Sequence, residues 1–181
     1  MRPVLRLSLV AVAFALGGCA ATVQRPSGAA AADSALKASP AASKRVVLLI
    51  KSNPSMQRGD DWNRFTAEWR TAVTTAASDA GKKFTYLDEE PTSPAAEPGA
   101  LIVLTINDYR YVSPGARFGL GIMTGNAFID ADARFYEQPG NRELGARKYT
   151  TSSSAWQGVF SAMTDKQVQA IATEMVKELD R

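Results

Sequence analysis

With no histidine anywhere and a single cysteine at Cys19, any acid–base or nucleophilic chemistry in this chain would fall to its carboxylates. The absence of histidine removes Ser-His-Asp and Cys-His arrangements, His-containing zinc sites and the usual general base near neutral pH. No motif supports a Ser-Lys pair. Three acidic groups are then worth weighing. Asp60 and Asp61 precede an amphipathic run, where a helix N-terminus favours acids to satisfy free amides and the dipole, so they read as a helix start and not as metal ligands. Asp88, Glu89 and Glu90 stand before a proline-rich stretch and read as a solvated charge run. Asp130 and Asp132 alternate with small residues, and Arg134, two positions further on, can neutralise them; a paired-carboxylate hydrolase would need a cleft around them. No catalytic residue, metal ligand or cofactor is assigned, and the expectation is a protein that is not an enzyme.

Gly119, Gly121 and Gly125 in FGLGIMTGN lack the dinucleotide-binding spacing, and no Gly-Lys-Ser/Thr follows them. A phosphate loop leads from a strand into a helix N-terminus, whereas this stretch joins two strand candidates. It is expected to be a hairpin connection. Phe118, Leu120, Ile122 and Met123 are more apolar than an exposed turn requires; they either extend the strands or fold on the core, or else touch a partner or bilayer. Trp156, Val159 and Phe160 are placed to cover the same end of the sheet.

The elements that must carry these groups follow from periodicity. Val46–Ile50 is an apolar, β-branched run ended by Ser52-Asn53-Pro54, a buried strand. Trp62, Phe65, Trp69, Val73, Ala76 and Ala80 recur at three and four, one face of a helix that Gly81 stops. Strands are predicted at 84–87, 101–112, 126–138 and about 143–152, with Pro139-Gly140-Asn141 turning the last pair into a hairpin. Thr164 and Gln167 have capping-box spacing, Met163 can staple to Val168, and Val168, Ile171, Ala172, Met175, Val176 and Leu179 form the apolar stripe of a final helix. The fold class is α+β: a two-layer sandwich with a mixed sheet of about five strands, chain order β-α-β-β-β-α, and two helices on one face. No internal repeat is found.

Two helices cover one face of such a sheet, which leaves the other to be identified by alternation. Ala127, Ile129, Ala131, Ala133 and Phe135 form a core parity; Phe128, Asp130, Asp132, Arg134 and Tyr136 form a wet one. Ile102, Leu104 and Ile106 likewise oppose Val103, Thr105, Asn107, Tyr109 and Tyr111, and Arg147, Tyr149 and Thr151 share a parity in the last strand. The candidate binding face is therefore Asn107, Tyr109, Tyr111, Asp130, Asp132, Arg134, Tyr136, Arg147 and Tyr149, with Phe118, Leu120, Ile122, Met123 and Trp156 as candidate apolar loop contacts. Tyrosine and arginine suit wet interfaces; the alternative is a solvated face laced by cross-strand ion pairs. A one-residue register slip would exchange the faces.

The N-terminus reads as a secretory signal, with Arg2 and Arg6, an apolar run over 7–16 and small residues at Gly17 and Gly18. Leu16-Gly17-Gly18-Cys19 resembles the lipobox of bacterial lipoproteins, in which the cysteine is acylated and becomes the new N-terminus after cleavage. That resemblance implies a signal peptide over 1–18, lipidation at Cys19 and, with Ala20 following and not Asp, an outer-membrane anchor facing the periplasm. Acylation would use the only thiol and leave no intramolecular disulfide. Loss of residues 1–18 removes two of the 21 basic residues, leaving 19 against 18 acidic ones, so the charge asks for no nucleic acid. Residues 19–44 are Ala, Ser, Pro and Gly-rich and read as a flexible tether spanning about 25–30 Å, ahead of a single α+β domain over 45–181.

GARFGLGIMTGNAFIDADARFYEQPGNRELGARKY, with the element order around it, resembles small Gram-negative lipoproteins of an uncharacterised family. The resemblance implies an α+β envelope domain, architecturally related to modules of secretion and assembly lipoproteins, and supplies no catalytic residue. The expected function is a non-enzymatic outer-membrane lipoprotein binding another envelope component, with a homo-oligomer compatible. The alternatives are a small-ligand module for lipid or glycan and, behind it, a carboxylate-based hydrolase.

Overall fold

The chain is described here by a computed structural model that covers residues 35–93, 95–111, 127–152 and 163–180. Strand β1 (Arg45–Ser52) is flanked on both sides in the sheet, and its apolar run is buried on both faces, as a central strand requires. Helix α1 (Asp60–Asp79) returns the chain to β2 (Lys83–Leu87), which lies parallel to β1. Two parallel neighbours need such a crossover. Then β3 (Gly99–Arg110) enters on the other side of β1, also parallel, and continues antiparallel into β4 (Phe128–Gln138) and β5 (Arg142–Ser152). The spatial order is β2-β1-β3-β4-β5, and α2 (Met163–Glu178) ends the fold. The α+β class, the mixed five-stranded sheet and the two helices are as expected. The chain order is β-α-β-β-β-β-α, one strand more than the expected string.

The helix ends obey local chemistry. Asp60 and Asp61 occupy the first turn of α1, where they favour the dipole, but the N-cap is Gly59 and neither acid makes a side-chain cap. At the other end Gly81 adopts φ +67°, its amide donates to Ser78 O and Lys82 N donates to Ala77 O, closing the last turn. In the final helix Thr164 lies in the first turn of α2, and the Gln167 Nε2 donates to the Ala127 carbonyl just ahead of β4. The β4–β5 turn uses positive φ at Gly140 and Asn141, which those residue types tolerate.

The core lies between the sheet and the two helices, which also pack on each other. Phe65, Trp69 and Val73 of α1 and Ile171, Met175 and Val176 of α2 meet the even positions of β1 and β3 and the odd positions of β4. Ala131 and Ala133, both fully buried, keep that part of the sheet low under the helices. The packed region begins before the expected boundary at residue 45. Leu36 is buried in the same core, against Gly145, where a Cβ would lie 2.7 Å from the Leu36 Cδ2. Ser39 N donates to Glu137, Arg142 bonds the Lys37 carbonyl and pairs with Glu137, and Ala42 is buried. A sequence poor in large apolar side chains hides this, because one leucine carries the anchoring.

Candidate functional site

Register decides which side chains share the face opposite the helices. Four cross-strand rows cross it. The first is Thr85, Val47, Leu101, Tyr136 and Glu143; the second is Leu87, Leu49, Val103, Arg134 and Ala146. The third is Lys51, Thr105, Asp132 and Lys148, and the fourth is Asp108, Asp130 and Thr150. The first two rows make an apolar half, with Val47, Leu49 and Leu101 packed against Leu87, Val103 and Tyr136. The last two make a charged half. Asn107 Nδ2 donates to Asp130 at 3.3 Å and to Asp132 at 2.6 Å, while Lys148 pairs with Asp130 at 2.8 Å. That contact raises the Lys148 pKa above its ordinary value. Arg134 stands at the border of the halves, exposed, beside Val103 and Ala146.

Between the apolar half and the β2–β3 connection lies a cavity of about 260 Å³, lined by Leu49, Lys51, Glu90, Pro91, Leu101, Val103, Tyr136 and Asn141. Lys51 and Glu90 pair across its rim at 2.8 Å. Asp88 and Glu90, read from sequence as part of a solvated charge run, thus serve surface pairs, Asp88 with Arg70, whose guanidinium also lies 3.8 Å over the Tyr86 ring.

Five of the nine expected face residues are gathered on this surface: Asn107, Asp130, Asp132, Arg134 and Tyr136. The other four are on the helix side. A bulge between Ile106 and Asp108 inserts Asn107 and reverses the parity of β3 beyond it. Tyr109 therefore stacks on Phe65 of α1, with ring centres 4.4 Å apart and planes at 4°, and Tyr111 packs edge-on to the same ring. In β5, Arg147 and Tyr149 oppose the core residues Ala133 and Ala131. Tyr149 is fully buried, and Arg147 forms a buried ion pair with Glu178 of α2. Phe118, Leu120, Ile122, Met123 and Trp156, like Cys19, lie outside the described residues.

One cluster escaped the sequence reading. Glu68 of α1 accepts a hydrogen bond from the Tyr111 hydroxyl at 2.7 Å and stands near Asp165 in the first turn of α2. Desolvation, with further upward pushes from a hydrogen bond and charge at Asp165, raises the Glu68 pKa to about 7 despite the Tyr111 bond. Burial and the Glu68 contact push Tyr111 upward as well. The available signal was weak: Glu68 follows Phe65 by three and precedes Trp69, so it borders the apolar stripe of its helix.

No protein-family model matches the sequence. No curated protein sequence matches it. Among solved structures, the chain is similar to the PelC dodecamer from Paraburkholderia phytofirmans, with 10% identity over 87% of this chain and 96% of that one and a TM-score of 0.48. It is also similar to protein XCC0632 from Xanthomonas campestris, of the family DUF330, with 12% identity over 76% and 86% of the two chains and a TM-score of 0.44. A candidate lipoprotein from Caulobacter crescentus CB15 shares 14% identity over 72% and 90%, with a TM-score of 0.33. At such identities and scores no residue role or activity is carried across. Among the described residues, no helix is long and apolar enough to cross a membrane.

Proposed function

We propose that this protein is a non-enzymatic lipoprotein, anchored through Cys19 to the periplasmic side of the outer membrane, whose domain binds another envelope protein through the uncovered sheet face. The observation that carries the reading is the division of that face: half-buried Val103 and Tyr136, set over the buried Val47, Leu49 and Leu101, beside a charged half around Asp132 and Lys148, with both helices on the other side. An apolar patch bordered by polar groups is the usual anatomy of a protein contact. Asp130 and Asp132 are held by Asn107 and Lys148, which suits them to fixing orientation and not to proton transfer. Arg134, the exposed cation between the halves, is the natural partner for an acidic group on the docked protein.

The test is photocrosslinking in intact cells, with the reactive residue placed in turn at Arg134, Lys148 and, as a control on the exposed side of α1, Thr75. A discrete adduct to one envelope protein from Arg134 and Lys148, missing at Thr75, supports the proposal. An adduct to a second copy of this chain would redefine the face as a homo-oligomer contact, and no protein adduct from either position would overturn it.

A further inference from the structure

The cavity on the uncovered face has a composition that the docking of a protein does not require. Its floor is Leu49, Leu101 and Val103, with Leu49 and Leu101 almost completely screened from solvent by their surroundings, and Tyr136 forms a wall. Its rim carries one cation on a strand, Lys51, and one carboxylate on a loop, Glu90. At about 260 Å³ it falls a little below the range of cavities that hold drug-sized ligands, a size that suits a single short chain.

We propose that this cavity binds a straight-chain aliphatic monocarboxylate, the class of a medium-chain fatty acid, with its chain against the half-buried Val103 and Tyr136, above Leu49 and Leu101, and its carboxylate on the Lys51 ammonium. Charge decides the head group. The Lys51–Glu90 pair is solvent-exposed on both sides, with side-chain exposures of 41% and 72%, and such pairs add little stability. Glu90 is the more exposed partner and sits on the connection after β2, whereas Lys51 is fixed on β1 beside Thr105. A ligand carboxylate can therefore replace Glu90 on Lys51 at small cost while the ligand's own aliphatic chain leaves water. One ammonium facing one displaced carboxylate matches a monoanion and disfavours a more highly charged phosphate head.

The site shares the face proposed for protein docking but does not rest on that proposal, because ligand binding is read with no partner present. The probe is decanoic acid carrying a diazirine in mid-chain, irradiated with the purified full chain, and the adducts are mapped by mass spectrometry. Adducts on the β3 segment with Leu101 and Val103 or on Tyr136, competed by excess decanoate and not by decanol, are expected. Lys51→Gln should reduce labelling about tenfold through loss of a charge-assisted hydrogen bond. Val103→Trp, which fills the cavity, should abolish it. Thermal melts of both variants establish that they are folded. Labelling elsewhere in the chain, equal competition by decanol, or undiminished labelling of a folded Lys51→Gln protein would each overturn the assignment.

Discussion

Glu68 shows how much a single side chain can depend on its surroundings. Its carboxyl bonds the Tyr111 hydroxyl, faces the Asp165 carboxylate, and has Arg64 near enough to Tyr111 to influence it. With its pKa raised from 4.5 to about 7, the folded chain keeps a proton that the unfolded chain releases in that window. Stability contributed through this group is thus greatest below about pH 4.5, declines as pH rises toward 7, and is level above it. Glu68→Gln keeps an acceptor for Tyr111 and cannot ionise. The difference in melting temperature between variant and parent should move in the variant's favour from pH 4.5 to 7 and then stay constant; a difference independent of pH would show that the proton is not held there. Tyr109, half-buried, stacks on Phe65 against the core, so it does not belong to the binding face that alternation suggested.

At the scale of elements, irregularities in the strands do most of the sorting. The bulge at Asn107 turns the end of β3 toward α1 while delivering the Asn107 amide to Asp130 and Asp132 on the other face. A second register shift, between Phe135 and Tyr136, places Gly145 at φ +151° and leaves room beside it for Leu36. The segment ahead of β1 is thereby fastened to the β4–β5 hairpin, helped by the Glu137 carboxylate, whose pKa is lowered by its Ser39 and Arg142 contacts. Leu36→Ala removes a side chain that is 1% exposed and should cost about 2–5 kcal/mol, as buried leucine truncations do. Urea denaturation of the parent and the variant measures this; a cost near zero would mean that the segment merely rests on the surface. The buried Arg147–Glu178 pair has the same character, joining β5 to the last turns of α2 across the core.

For the whole molecule, both helices stand on one side of the sheet and pack into the main core there. Among the described residues, the large apolar side chains of α1 and α2 pack into one core, and a smaller apolar cluster lies on the opposite face. Cys19→Ser is expected to transfer the protein from the membrane fraction of disrupted cells to the soluble fraction, measured by immunoblot after high-speed sedimentation. Retention in the membrane fraction would remove the lipid anchor from the proposed function.

The sequence by itself determined the elements. The buried run of β1, the three-and-four spacing of α1 and α2, the Gly81 stop and the Gly140–Asn141 turn are local signals with local physical causes, and each appears in the structure where its residues stand. It also fixed the wet parity of β4, since Asp130, Asp132 and Arg134 cannot share a face with Ala131 and Ala133. Tertiary structure decided what periodicity cannot carry. A single inserted residue reversed Tyr109 and Tyr111, a buried partner on α2 accommodated Arg147, and the Leu36 anchor depended on a strand more than a hundred residues away. Strand register and long-range pairing are collective properties of the packed chain, so they set the composition of the uncovered face only once the helices have taken the other one.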